Sequence, residues 1–453
     1  MHRCESCMNM YDEKSGACPV CEYRQSMRTG AEGVPAPSEV KKRKKLFHTE
    51  KTIKRIIAAF LVFLAVCSGL LFVYNAFEPP EEVYNVNSEH QGYAKRESVI
   101  KKIKKGKDID TIIIENKSLM KNNSDQSAKI IQSVNISKYS VGNIVMFGKY
   151  PQRLIKDKEL IEELNKLKKD WKSLGYYSGE DLNGDGFGDP GTMKSKDYTK
   201  YADVSYKGDK YRAVIFTDYR PFCSSGVCDS GNSNQESNEY VANTVYWFRY
   251  EPLEWRVLDP SEGLVVCRDI IDAQPFSNLC YEDMSGNYYN DEELSVYACD
   301  YETSSIRSWL HTDFYETAFT DSEKSQIAVS KLENKSYSKK YSKYDGSETE
   351  DLVFLLSYSD ICSKLYGFNT ESGAADSARR RRGTDYAVCQ GLFVDPNDGY
   401  SHWWLRSPGN GSRRACRVWS DGVAHSVCRV DYTYFGVCPA FRFVPEYELY
   451  GSN

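Results

Sequence analysis

The longest unbroken apolar run in the chain, Ile56 to Phe77, reads IIAAFLVFLAVCSGLLFVYNAF and holds no charge. A helix of that length crosses the hydrocarbon core of a bilayer. A buried core helix seldom runs so long without a polar face, so the pattern predicts one transmembrane helix over 56–77. The next stretch, 78–140, is polar and rich in Lys, Asn and Ser, with one apolar patch at Ile109 to Ile114. That pattern fits a stalk or linker region, or a small packed element. From Val141 the texture changes. Short aromatic and β-branched runs alternate with Gly, Asp and Asn turns, which predicts strands. They are expected at Asn143 to Phe147, at Val204 to Tyr206 turning at Gly208 into Tyr211 to Phe216, and at Glu254 to Leu258 turning into Leu264 to Arg268. Helices are inserted between them. Thr303 or Ser304 caps one that places Ile306, Trp309, Leu310, Tyr315 and Phe319 on a buried face. Thr320 and Glu323 have the spacing of a capping box, and a third helix over Ile361, Leu365 and Tyr366 follows the apolar run Leu352 to Leu356. Strands, short helices and long loops together predict an α+β domain over 141–445.

Charge sets the direction of the span. Lys41, Lys42, Arg43, Lys44, Lys45, Lys51, Lys54 and Arg55 precede it, and Glu78, Glu81 and Glu82 follow. Positive charge stays inside, which places the N-terminus in the cytoplasm and the C-terminal domain outside the cell. The expected location is the cell membrane, with the span as an uncleaved signal anchor. The net charge of −5 over 453 residues carries no nucleic-acid footprint, so no nucleic acid is expected among the partners. Beside a span, the basic run Lys41 to Lys45 reads as the orientation signal.

Cys4-x-x-Cys7 and Cys18-x-x-Cys21 have the spacing of a zinc site. Two tight turns present four thiolates to one Zn²⁺, which takes them tetrahedrally. A structural zinc ribbon is expected over 1–25, closed and not catalytic. A redox pair is disfavoured so near the terminus. The stretch also resembles the small zinc ribbons that open many Gram-positive membrane proteins. Residues 26–55, with Gly, Pro, Ala and Ser and then the basic run, read as a flexible basic linker.

The succession EPLEWRVLD, DAQPF, SSIRSWL, FYETAF, DLVFLLS, TDYAVCQGL, HWWLRSPG and GVCPAF resembles a bacterial domain of unknown function frequent in gut Firmicutes. Members of that family end in WWLRSPG, a Gly-rich stretch and GVRPAF; Cys438 stands here where Arg is usual. A segment over about 152–248 is longer than in the shortest members. Similar endings occur in C-type lectin-like and formylglycine-generating-enzyme-like folds, some of them diversified by retroelements. The resemblance implies a lectin-like extracellular domain that binds or displays toward a ligand. A formylglycine-generating-enzyme-like enzyme and a structural cell-envelope protein are the alternatives.

Candidate chemistry is sparse. Asp181, Asn183, Asp185 and Asp189 ring a Gly-containing loop of the DxNxDGxxD kind, a candidate calcium site that an ordinary Asp/Asn/Gly turn also explains. Ten cysteines follow the span, with Cys223 and Cys228 the best local disulfide pair; free or buried thiols are an equal expectation. A copper-binding pair would have to come from Cys416 and Cys428, and nothing around them resembles such a site. His311, His402 and His425 have no partner motif, so no catalytic residue is assigned. Asn410 to Phe435 reads as two strands around Ser420-Asp421-Gly422 followed by an aromatic turn. It lacks Lys, Glu, Gln and Met. Retroelement mutagenesis of adenines in Asn codons yields just such a repertoire; a short Gly-turned β segment that simply avoids those four residue types is the alternative. Arg and Tyr dominate binding surfaces, which selects Arg414, Arg417, Arg429, Tyr432 and Tyr434 as the ligand-binding face. Trp403, Trp404, Leu405 and Pro408 are expected in the core, and Arg406 in a structural ion pair.

Overall fold

The computed structural model describes residues 109–125, 134–174, 199–224, 234–278 and 297–445, with the short strands His2–Arg3, Met10–Tyr11, Tyr176–Ser178 and Lys194–Lys196. The span 56–77, the linker 26–55, the ribbon ligands Cys4, Cys7, Cys18 and Cys21, and the loop ligands Asp181, Asn183, Asp185 and Asp189 lie outside the described residues. Among the described residues no helix is long and apolar enough to cross a membrane. The chain divides into two units, Met1–Asn85 and Val86–Asn453. In the first, His2–Arg3 pairs antiparallel with Met10–Tyr11.

Among the described residues the second unit is built on two main sheets, beside the two-stranded pairs Ser330–Leu332 with Thr349–Asp351 and Tyr176–Ser178 with Lys194–Lys196. Strands are numbered β1 (Ile144–Leu154), β2 (Lys172–Ser173), β3 (Thr199–Tyr206), β4 (Asp209–Phe216), β5 (Tyr246–Asp259), β6 (Leu264–Cys267) and β7 (Asp272–Ala273). They continue with β8 (Ile327–Ala328), β9 (Val353–Leu355), β10 (Trp403–Pro408), β11 (Arg414–Val418), β12 (Ala424–Arg429), β13 (Gly436–Val437) and β14 (Pro439–Phe443). The larger sheet runs β8-β14-β6-β5-β4-β3-β2, with β9 also on β14 and β1 also on β5. The smaller runs β7-β13-β10-β11-β12.

Each strand forms where its residues suit its depth. β3 and β4 turn through Lys207 and Gly208, both at positive φ, a geometry that matches the twist of a two-residue hairpin. β6 (LVVC) and β9 (VFL) are buried throughout, as expected of strands covered on both faces. Rings fill the space between: Trp255, on β5, packs at 4.6 Å from Phe441 and donates Nε1–H to the Phe147 carbonyl at 2.7 Å. Trp403 and Trp404 are fully buried, with their indole N–H groups on the carbonyls of Arg379 and Gln274. Leu405 and Pro408 are buried beside them, and the core placement expected from the sequence is what these side chains adopt.

Folding settles one local reading and changes two. The patch at 109–114 opens a helix, Ile109–Asp125, whose Ile112 and Ile113 enter the main core, so the packed body begins upstream of 141. The expected third helix is two 3₁₀ turns, Asp360–Cys362 and Lys364–Tyr366, because Ser363 between them is extended at ψ 118°. Leu365 is consequently 82% exposed. The helix capped by Ser304 is interrupted by a π turn over Leu310–Phe314, which still leaves Ile306, Leu310, Tyr315 and Phe319 in the core. The long 152–248 segment supplies β2 to β4 and packs a second small core of Leu164, Ala202, Tyr211, Ala213 and Trp247.

Candidate functional site

Asn410 to Phe435 folds as the hairpin β11–β12 and an aromatic turn. Gly422 closes the hairpin at φ +87°, and a Cβ there would run into the Asp376 backbone, so only glycine fits. In the hairpin register Arg414 faces Arg429, two like charges directly opposed. A pair of that kind weakens a ladder unless a counter-charge is near. Asp431 provides it, accepting from Arg429 Nε at 3.0 Å and Nη2 at 2.7 Å while fully buried. Arg417 lies 4.0 Å over the Trp419 ring and 4.7 Å from Phe435. Tyr432 and Tyr434 stack at 5.2 Å, and Tyr434 meets Phe222 edge-on at 5.6 Å. Burial raises both phenols above their ordinary range, with the nearby Arg417 pulling the other way, so they are neutral near pH 7.

These five side chains are therefore neighbours. Arg414 is exposed and the other four are half-buried. Other members of the retroelement-like repertoire are not on the surface. Cys416, Asp431 and Phe435 are fully buried, and Cys428 and Thr433 nearly so. Packing constrains the residue types at those positions. The inserted segment braces the turn: the Thr433 amide donates to the Phe222 carbonyl at 2.9 Å, and Cys223 bridges to Tyr432. Cys223 is disulfide-bonded, and its partner lies outside the described residues because every other described cysteine is free.

The described thiols and imidazoles of this region are buried and bonded within the fold. Burial pushes the Cys428 thiol up to about 11 and Cys416 further, which leaves both as neutral, weakly nucleophilic groups near pH 7. Cys416 donates to the Pro408 carbonyl at 3.4 Å. His402 stacks on Phe393 at 4.9 Å and accepts the Ser420 amide at Nδ1; burial, then Arg417, lowers it to about 4. His311 is fully buried. Its Nε2 accepts the Leu352 amide at 3.1 Å, so the ring proton sits on Nδ1, 2.9 Å from the Arg307 carbonyl. That tautomer has no proton to give Asp351, 3.4 Å away. Nothing is described of the His425 side chain. Among the described residues no His, Cys, Asp and Glu cluster is grouped to hold a metal.

A cavity lies elsewhere in the same unit, with no local sequence signal to mark it. It has a volume of about 290 Å³ and is bordered by Phe354, Tyr358, Asp360, Arg406, Ser407 and Arg442, among others. Arg406 forms the expected ion pair, with Nη1 2.8 Å from Asp360 Oδ2. It also faces this cavity, a second role that pairing alone does not reveal. Phe354 comes from DLVFLLS, Arg406 and Ser407 from WWLRSPG, and Arg442 follows GVCPAF. The signal was the convergence of three motifs, legible only once β9, β10 and β14 are adjacent. Sequence pattern alone does not single out the run Arg379 to Arg382. Arg379 is wholly buried on backbone carbonyls, and Arg380 and Arg382 flank the Tyr400 ring at 3.7 and 4.3 Å.

Residues 264–444 match the family model described as "Domain of unknown function (DUF6273)". The match takes in the hairpin face and every residue bordering the cavity. It is narrower than the 141–445 resemblance, and EPLEWRVLD lies outside it. No curated protein and no solved structure matches the chain.

Proposed function

We propose that this chain is a single-pass membrane protein whose extracellular domain binds or displays toward a ligand through Arg414, Arg417, Arg429, Tyr432 and Tyr434. The domain is read as C-type lectin-like, the zinc ribbon as cytoplasmic and structural, and the Asp181–Asp189 loop as a calcium site. One observation carries the binding face: cationic and aromatic tips stand together on a fully buried base of Asp431 and Phe435. Rigid aromatics and arginines over a desolvated support are what hot spots are made of. The three arginines select anionic or aromatic ligands. Catalysis is not part of the reading, since the candidate thiols are neutral and buried.

The test is a glycan and peptide array probed with the full chain in nanodiscs. Hits are expected for acidic ligands, and the Arg414→Ser, Tyr432→Ser, Tyr434→Ser triple variant should lose them. Arg414→Ser alone should leave the melting temperature nearly unchanged, as exposed sites cost within about 0.5 kcal/mol. Trp404→Ala should cost about 3–5 kcal/mol by opening a cavity. Hits that survive the triple variant place the ligand elsewhere, and an empty array favours a structural envelope role.

A further inference from the structure

We propose that the cavity between Phe354, Arg406 and Arg442 is a second binding site, for a small organic molecule that carries an oxyanion, carboxylate or phosphate, on a body of about monosaccharide size. The volume, about 290 Å³, is at the low end for ligand pockets, which limits the occupant to a small molecule. The charge within it is not balanced. Arg406 is 6% exposed, and Nη1 donates to the Leu355 carbonyl and to Asp360 Oδ2, each at 2.8 Å. Its Nε is buried with no hydrogen-bond partner. A buried donor of a charged group left in that state loses its hydration without replacement.

Arg442, on β14, is half-buried at the same cavity, and its side chain makes no hydrogen bond or ion pair among the described residues. Both guanidinium groups lie 5.9 Å from the Phe354 ring. The acids present are already spoken for. Burial would raise the Asp360 carboxyl, but Arg406 and the Ser357 amide outweigh it and hold it below its usual range, as a carboxylate. Glu333 pairs with Lys335 at 2.6 Å on the exposed rim. One guanidinium is left over, and two planar forks beside one cavity suit the oxygens of a carboxylate or phosphate. The remaining surface suits a polar body. Ser407 Oγ accepts the Tyr358 amide at 3.0 Å and keeps its own proton to donate, and the Tyr337 and Tyr358 rings meet at 5.5 Å. None of these residues belongs to the hairpin face, so the two sites are separable.

Isothermal titration of the full chain in nanodiscs with glucuronate, glucose 6-phosphate and glucose tests the assignment. At least one of the two anionic sugars should bind, glucose should not, and the stronger of the two identifies the oxyanion. Arg442→Gln should weaken that binding at least tenfold with a nearly unchanged melting temperature, because the side chain has only a 5.9 Å ring contact to lose. Arg406→Lys keeps the charge beside Asp360 but loses the fork, and should weaken it as well. The hairpin triple variant should bind the sugar as the parent does. Absence of heat with both anions, equal binding of glucose, or full affinity in Arg442→Gln would each overturn the site.

Discussion

Asp272 is the residue where burial and charge conflict most directly. It is 2% exposed on β7, where its Oδ1 accepts the Ala273 amide at 2.7 Å and the Gln274 side-chain amide at 3.2 Å. Tyr150 donates to Oδ2 at 3.3 Å. Burial raises its pKa to about 7, more than Arg220 and the hydrogen bonds lower it. The unfolded carboxyl ionises near 3.9, so the fold binds this proton more tightly than the open chain does. Its contribution to stability is therefore full below about pH 4 and is lost as the pH rises toward 7. The difference amounts to roughly 4 kcal/mol at most. Urea midpoints at pH 5 and 8 should fall less in Asp272→Asn than in the parent; identical pH slopes in both would remove Asp272 as the cause. Single residues were partly legible. Trp403 and Trp404 announced themselves by size. Asp272 and Arg379 did not, since nothing in sequence marks a charge that will be enclosed.

At the scale of elements, short-range chemistry was the readable part. Ser304 and Thr320 cap their helices as their spacing implied, and Thr320 and Glu323 close both halves of the capping box. Such reciprocal bonds involve neighbours three residues apart, so they need no tertiary partner. The helix Ile109–Asp125 is the opposite case. Its apolar residues fitted either a stalk or a docked element, and only its partners decide. Asn116 Nδ2 donates at 2.7 Å to both Tyr315 Oη and the Lys324 carbonyl, which ties the helix to the body. Ile112→Ala should then cost about 2–5 kcal/mol, read as a lower urea midpoint for the whole second unit. A variant as stable as the parent would mean that the helix is carried along without contributing to the fold.

For the whole molecule, the continuous sheet is larger than the family match. β1 to β5 precede residue 264, yet β5 pairs with β6 and β1 with β5, so sheet and core pass across that boundary. Truncation at 264 would strip β6 of a partner along its whole length. The proposed topology has its own measurement. Protease added to intact cells should digest the unit that follows the span and spare an N-terminal tag. Loss of the tag with the outer unit intact would reverse the orientation read from Lys41 to Arg55.

The sequence by itself determined what depends on neighbours along the chain: hairpin turns, helix caps, the texture of strands, and the composition of the span and ribbon expectations. These follow from local sterics, hydrogen bonds a few residues apart, and runs of one polarity. Tertiary structure alone decided which members of Asn410 to Phe435 are exposed, and that Arg406 and Arg442 share a cavity. Residues 36 positions apart come together there because β10 and β14 each pack near β9. Whether a guanidinium is satisfied depends on the strands around it, and those are chosen by the burial of the whole core.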